Sequence, residues 1–199
     1  MSPASKVRIR PARPDDAPRV ARLLALRGIS VEEALDQAPR MIDALPVLLL
    51  ASLPAPGGAA ESSPDGASEL TGQPARSVHG EDPALADSRA VPVALSGAFL
   101  LPGDLEEGRP ERWMVSGLIV DPDARRRGIG RSLLTAVGAA VREIDPGEDL
   151  FSVVETANHA SVAAHLAAGF EEAAHVDGYA GLVFDGDALL MRLPGAAEA

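Results

Sequence analysis

The chain contains no cysteine, which excludes disulfide bonds, thiolate metal ligands and cysteine nucleophiles. Aromatic residues make up only 3% of its 199 residues, so the core must be built from leucine, valine, isoleucine and alanine. The longest apolar run, residues 47–53, is far too short to span a membrane, and the N-terminal segment has no apolar signal-peptide core. The sequence therefore predicts a cytoplasmic protein without a membrane partner.

Positive charge is also scarce, since 18 lysines and arginines face 29 aspartates and glutamates and give a formal net charge of -11. Nucleic-acid binders usually carry a basic patch, so no nucleic-acid partner is expected. An acidic chain mildly favours a cationic partner, but acidity is also an ordinary solubility device. No metal site is expected, because the histidines lack the spacing of ligands on one helix. They are His79, His159, His165 and His175.

Hydrophobic periodicity in the first 53 residues predicts a strand, two helices and a second strand. Residues 7–10 alternate as a strand, Asp15 is the expected N-cap of the first helix, and Gly28 ends that helix. A capping box opens the second helix at Ser30, and Pro39 should kink or split it. Residues 47–52 read as a buried strand. The inner face of the second helix would be Val31, Leu35, Ala38 and Ile42.

Residues 54–90 combine proline, glycine and serine without an apolar face, which predicts a flexible loop inserted in one domain that covers residues 1–199. After it, the pattern indicates strands at 91–101 and 113–120, a helix at about 130–144, a strand at 150–154 and a short helix at about 159–168. Strands at 170–175 and 188–193 follow. This is an α/β order that ends in an antiparallel pair.

The turn between the strand at 113–120 and the helix that follows has the features of a phosphate site. N–H groups at a helix N-terminus are unsatisfied and attract anions, and Gly128 and Gly130 would let an anion approach the backbone. Four arginines add positive charge there, in an otherwise acidic chain. They are Arg125, Arg126, Arg127 and Arg131. A P-loop is excluded because Gly-Lys-Ser/Thr is absent, and a dinucleotide fingerprint because Leu133 stands where its third glycine would be.

Residues 125–130, Arg-Arg-Arg-Gly-Ile-Gly, resemble the Arg/Gln-x-x-Gly-x-Gly/Ala signature of the Gcn5-related N-acetyltransferase (GNAT) superfamily. A second family pattern, Asn-x-x-Ala/Ser with a later Gly-Phe, is matched by Asn158, Ser161 and the Gly169-Phe170 pair. The resemblance is strong over about 113–193 and covers only the layout of 7–53. It implies an α/β fold with a mixed, mostly antiparallel sheet of six to seven strands, helices on both faces, and fourth and fifth strands that splay apart.

The resemblance further implies acetyl-CoA as acyl donor, with its pyrophosphate on the amides of 126–131 and its pantetheine arm along the backbone of Leu118 and Val120. Asn158 would contact the arm, or cap its helix, or both. The whole set of implied cofactor-binding residues is Leu118, Ile119, Val120, Arg125, Arg126, Arg127, Gly128, Ile129, Gly130, Arg131, Ser132, Asn158 and Ser161.

Direct acetyl transfer needs a neutral amine, a stabilised carbonyl oxygen and a proton for the leaving thiolate. His165 stands where many relatives have a tyrosine acid, so it either donates that proton or is simply a helix residue while water serves. Tyr179 is a second candidate acid. Glu155 is the candidate base, with Glu111, Glu32, Glu33 or a water chain as alternatives.

The resulting prediction is an N-acetyltransferase that acts on a small-molecule or protein amine. A non-catalytic acetyl-CoA sensor or interaction module of the same fold is the alternative, and a nucleotide or phosphate binder is a third. Three aspartates near the last hairpin either hold a cationic amine or only form turns. They are Asp177, Asp185 and Asp187. A homodimer paired through the last strands is also an expectation from the resemblance.

Overall fold

A computed structural model describes residues 7–54, 90–104, 106 and 108–196, which contain a seven-stranded sheet and four α-helices. The strands are β1 (Arg8–Pro11), β2 (Val47–Ser52), β3 (Pro92–Leu101), β4 (Arg112–Val120), β5 (Leu150–Glu155), β6 (Glu171–Tyr179) and β7 (Leu182–Leu193). The helices are α1 (Ala17–Ala25), α2 (Val31–Ala44), α3 (Ile129–Ile144) and α4 (His159–Ala167). Apart from its two ends, the predicted loop at 54–90 lies outside the described residues.

The strand order is β1-β2-β3-β4-β5-β7-β6, and every neighbouring pair is antiparallel except β4 and β5. These two parallel strands pair only where Trp113 meets Leu150 and Met114 meets Phe151. Beyond that point they are no longer paired, although each strand continues. The predicted mixed sheet with a splayed fourth and fifth strand is confirmed.

Helices cover both faces of the sheet, as predicted. On one face, here called the α3 face, Leu134 and Val137 of α3 belong to one core cluster with Trp113 and Val154 of the sheet. The opposite face, here called the α1 face, carries a second cluster that also includes residues of α2 and β2, and in it α1 packs on α2, β3 and β4. Among the described residues, no helix is long and apolar enough to cross a membrane.

Helix α2 begins as predicted, because the Ser30 hydroxyl accepts a hydrogen bond from the N–H of Glu33 at 3.1 Å. Pro39 does not split the helix, since one continuous helix passes through this residue. The predicted inner face is wrong in part, because Val31 is 68% exposed and Leu35 51% exposed. The residues of α2 that are fully buried and belong to the cluster with α1 are two alanines. They are Ala34 and Ala38, of which only Ala38 was predicted to face inward.

The start of α1 differs from the prediction as well. The N-cap residue is Asp16, not Asp15, and the carboxylate of Asp16 is buried beside Arg10. The hydrogen bonds from Arg10 hold the pKa of this carboxyl at about 2. A buried carboxylate is stable only when it is paired, so Asp16 serves as an anchor between β1 and α1.

Candidate active site

The arginine-rich turn leads directly into α3 and has an unusual backbone. Arg126 and Gly128 both have positive φ angles, +61° and +74°. Gly128 is the N-cap of α3 and supplies no side-chain cap to the helix. Alternation of left-handed with ordinary residues turns successive N–H groups toward one side, which is the geometry of an anion-binding concavity.

The N–H groups of residues 126–131 have no acceptor among the residues that the structure describes. Within the described part of the chain, none of these six groups donates a hydrogen bond, and the first bond of the helix runs from Ser132 N–H to the Gly128 carbonyl at 3.0 Å. Together with the helix dipole they form a ready site for a phosphate group. The charged side chains of Arg126, Arg127 and Arg131 form no ion pair with any residue that the structure describes.

Gly130 keeps a gap open between α3, β4 and α4. A Cβ atom at this position would lie 3.3 Å from Leu118 Cδ2, 3.7 Å from the Cβ of Ala164 and 3.8 Å from Val120 Cγ2. Any side chain here would therefore fill the space between the turn and the strand. The second glycine of the signature has a steric reason, whereas Gly128 has a conformational one.

The backbone of β4 presents an open edge beside this gap. The N–H of Asp121 donates to the Val93 carbonyl of the β3 side at 2.8 Å. Because backbone groups alternate along a strand, Leu118 and Val120 direct theirs toward the side from which β5 has separated. Arg125 Nε donates to the Val120 carbonyl at 3.3 Å and shields part of this edge. The opposite alternation directs the backbone of Ile119 toward β3, where it pairs with Leu95.

A β-bulge interrupts β4 just before this open edge. The register with β3 shifts by one residue, so that Ser116 and Gly117 together oppose Gly97. Gly117 has a φ of +126°, and its carbonyl accepts a hydrogen bond from Ser96 Oγ at 2.8 Å. The bulge was not predicted from the sequence, although glycine inside a strand pattern is a known signal for one.

The N-terminus of α4 carries the second signature. The Asn158 side chain accepts a hydrogen bond from the N–H of Ser161 at 3.2 Å, which confirms that Asn158 is the N-cap. At the other end, Gly169 has a φ of +97° and Phe170 is buried in the core, as the predicted helix cap requires. The role of Asn158 and Ser161 toward a cofactor stays a prediction.

His165 is buried, with 2% of its surface exposed. Its Nδ1 lies 2.8 Å from the carbonyl oxygen of Ser161, and its ring meets Phe170 edge-on at 5.0 Å. Nε2 has no hydrogen-bond partner among the described residues. Burial lowers the pKa of His165, so the ring is neutral near pH 7, with Nδ1–H donating to Ser161. A neutral imidazole held in this way has no proton to offer from Nε2.

Glu155 and Tyr179 lie on the α1 face. Glu155 is the exposed last residue of β5, and strand alternation puts it on the face opposite to buried Val154. The hydroxyl oxygen of Tyr179 accepts a hydrogen bond from Arg112 at 3.2 Å, and Arg112 stacks on Phe151 at 4.5 Å. Tyr179 therefore sits at the paired end of β4 and β5, whereas Glu155 marks the open end.

Residues 61–170, more than half of the chain, match the Acetyltransferase (GNAT) family. The chain belongs to the GNAT family of acetyltransferases. This confirms the resemblance first found in the two signatures, both of which end within the matched region. Acetyl-CoA is the acyl donor of this family. No curated protein matches the sequence significantly.

Solved structures share the GNAT fold at low sequence identity. One is yncA from Salmonella typhimurium, solved with its cofactor acetyl-CoA, at 16% identity, with 97% of this chain and 96% of that chain covered and a TM-score of 0.60. A phosphinothricin acetyltransferase from Sinorhizobium meliloti, in complex with AcCoA, is 16% identical over 96% of this chain and 89% of its own, with a TM-score of 0.58. The ribosomal-protein-S18-alanine N-acetyltransferase from Escherichia coli is 16% identical over 98% of this chain and 97% of its own, with a TM-score of 0.55.

Proposed function

We propose that this protein is an N-acetyltransferase that transfers the acetyl group of acetyl-CoA directly to an amine. The observation that carries the proposal is the position of six free N–H groups beside an open strand edge. A pyrophosphate suits the first feature, and an extended arm with amide groups suits the second. A simple nucleotide or phosphate binder would not need the open edge.

Several residues would hold the donor. The amides of 126–131 would bind the pyrophosphate, with Arg126, Arg127 and Arg131 adding charge. Leu118 and Val120 would bind the arm through their backbone groups, and Asn158 and Ser161, at the N-terminal end of α4, would contact it. In this arrangement Arg125 and Ile119 support β4 and do not contact the cofactor directly, since Arg125 donates a hydrogen bond to the strand and Ile119 pairs with β3.

Bound acetyl-CoA supplies an activated thioester. Transfer forms a C–N bond to a neutral amine and breaks the C–S bond; one proton leaves the amine nitrogen and one proton reaches the thiolate. A backbone N–H of β4 near the bulge is suited to stabilise the carbonyl oxygen, because such groups are fixed in place before the reaction. The bulge at Gly117 lies directly before the open edge.

Glu155 is the group we assign to receive the proton of the amine. It is exposed, it has no hydrogen-bond partner among the described side chains, and it lies at the open end of β5. His165 is not assigned as the acid, because its ring is buried and neutral, and a water molecule serves this purpose instead. Tyr179 is committed to Arg112 at the paired end of the strands.

The test is thermal unfolding with acetyl-CoA, CoA or ATP, followed by an amine screen that detects released thiol. A ligand at 100 times its dissociation constant adds about 2.7 kcal/mol, so acetyl-CoA and CoA should raise the melting temperature by several degrees while ATP does not. Acetylation of any amine in the screen supports the enzyme. Cofactor binding without turnover of any amine would instead favour the non-catalytic sensor.

A further inference from the structure

Arg27, directly after α1, reaches the bulge of β4 across the α1 face. A Cβ atom on Gly117 would lie 3.4 Å from Nη1 of Arg27. That separation is ordinary van der Waals contact, so the guanidinium lies beside the bulge, and it is the φ of +126° that requires glycine at position 117. No resemblance or motif singled out Arg27, and only the folded chain brings it to the bulge.

The guanidinium of Arg27 has no polar partner in the described part of the chain. Within the described residues it forms no ion pair and no hydrogen bond, and the residue is exposed. Other arginines that reach β4 are committed. Arg22 binds Asp121 at 2.8 Å and the Pro92 carbonyl, Arg112 binds Tyr179, and Arg125 binds the Val120 carbonyl. An arginine with all its donors available beside a strand bulge is therefore a distinct feature of this chain.

The position of Arg27 relative to the proposed reaction centre follows from the sheet. The turn at 126–131 and α4 lie on the α3 face, so a donor held there reaches the open edge of β4 from that side. The α1 face remains for the second substrate, and Glu155 is exposed on this face as well. Arg27 lies on the same face, over the bulge that precedes the open edge.

We infer that Arg27 binds a carboxylate of the acceptor, and that the acceptor is therefore an amino acid or a similar amine that carries an acid group. The inference rests on the proposed function. A guanidinium matches a carboxylate with two parallel hydrogen bonds, and it repels a second positive charge. Arg27 therefore selects for amines that carry a carboxylate, which it attracts, and against polyamines, whose additional positive charges it repels.

The first experiment measures binding and needs no turnover. N-acetylated glycine, alanine and phenylalanine, each beside its carboxamide, are titrated by calorimetry into the protein with CoA present. We expect the tightest-binding N-acetyl amino acid to bind at least about tenfold more tightly than its amide. Arg27→Gln should weaken the binding of that acid by about 10- to 100-fold and leave the affinity for the amide unchanged. Equal binding of acids and amides, or no binding of the acids, overturns the inference.

Arg40→Gln is the matched control, because Arg40 is an exposed arginine of α2 that forms no ion pair with the described residues. It should leave both affinities unchanged. Arg27→Lys should retain part of the preference for acids, since it keeps the charge but loses the paired geometry. CoA affinity should be the same in all variants, and a loss of CoA affinity in Arg27→Gln counts against a role in acceptor recognition.

The second experiment measures thiol release with free amino acids and their amides. The inference is supported if the wild type acetylates free amino acids faster than their amides, and if Arg27→Gln removes this preference while keeping the rate with amides. Acetylation of amines with no preference for acids in any variant overturns the role of Arg27 and leaves the proposed function intact. Binding of N-acetyl acids through Arg27 without acetylation of any amine supports the role of Arg27 and overturns the proposed function.

Discussion

Gly130 of α3 and Leu118 of β4 approach so closely that a Cβ on the glycine would lie 3.3 Å from Leu118 Cδ2. We predict that Gly130→Val abolishes the stabilisation by acetyl-CoA, because the added methyl groups fill the gap beside the turn. Thermal unfolding with and without acetyl-CoA measures this. Gly147→Val is the control, since a Cβ on Gly147 meets nothing within 4 Å. Unchanged acetyl-CoA affinity in Gly130→Val would place the donor elsewhere.

Glu155→Gln should lower kcat by about 100-fold or more and leave KM for acetyl-CoA unchanged, because a glutamine cannot take a proton from the amine. Steady-state kinetics at a fixed pH provide the measurement. Glu172→Gln, on the exposed edge strand β6, is the control. A variant as active as wild type would remove Glu155 from the proposed mechanism.

His165 should make the fold sensitive to mild acid. Burial lowers its pKa below the 6.5 of the unfolded chain, so its stabilising contribution is complete above pH 6.5 and is lost as the pH falls toward the lower folded value. The slope is at most about 1.4 kcal/mol per pH unit. His165→Phe should reduce the dependence of the melting temperature on pH between pH 7 and pH 5. His159→Gln, at an exposed site of α4, should not.

The same His165→Phe variant tests catalysis. If the ring is a neutral structural group, as its buried Nδ1 bond to Ser161 indicates, kcat should stay close to that of the wild type. A large fall in kcat, with unchanged acetyl-CoA binding and the loss of a basic limb in the pH profile, would restore His165 as the proton donor.

Asp16→Asn should destabilise the protein by about 2 kcal/mol at neutral pH, because the carboxyl pKa falls from 3.8 to about 2 on folding. This contribution is present above pH 3.8 and is lost as the pH falls through about 2, so the stabilities of wild type and variant should converge there. Denaturant unfolding as a function of pH is the measurement. Asp15→Asn is the control, since Asp15 is exposed. A constant difference down to pH 2 would contradict the assignment.

Much of the fold, and the backbone features that we propose for the acetyl-CoA site, could be predicted from local sequence. Strand β2 and helix α3 have the predicted bounds to within one residue, and the free N–H groups coincide with the residues chosen for the pyrophosphate. These features depend on neighbours in sequence. Gly128 and Gly130 act on the backbone and packing next to them, and Asn158 caps a helix that begins at the following residue.

The errors arose where distant segments meet. The outward position of Val31 and Leu35 is decided by the close packing of α1 on Ala34 and Ala38, which no period within α2 reveals. Asp16 rather than Asp15 is the anchor because Arg10 of β1 lies above it.

The sequence by itself determined the family, the alternation of strands and helices and the position of the arginine- and glycine-rich turn before α3, because each is encoded in short spacings of glycine, arginine and apolar residues. Only the tertiary structure decided that His165 is buried and neutral, that Glu155 stands at the open end of β5, and that Arg27 reaches the bulge at Gly117. The physical reason is that pKa values, open strand edges and the approach of a guanidinium depend on segments far apart in the chain, which meet only when both faces of the sheet are packed.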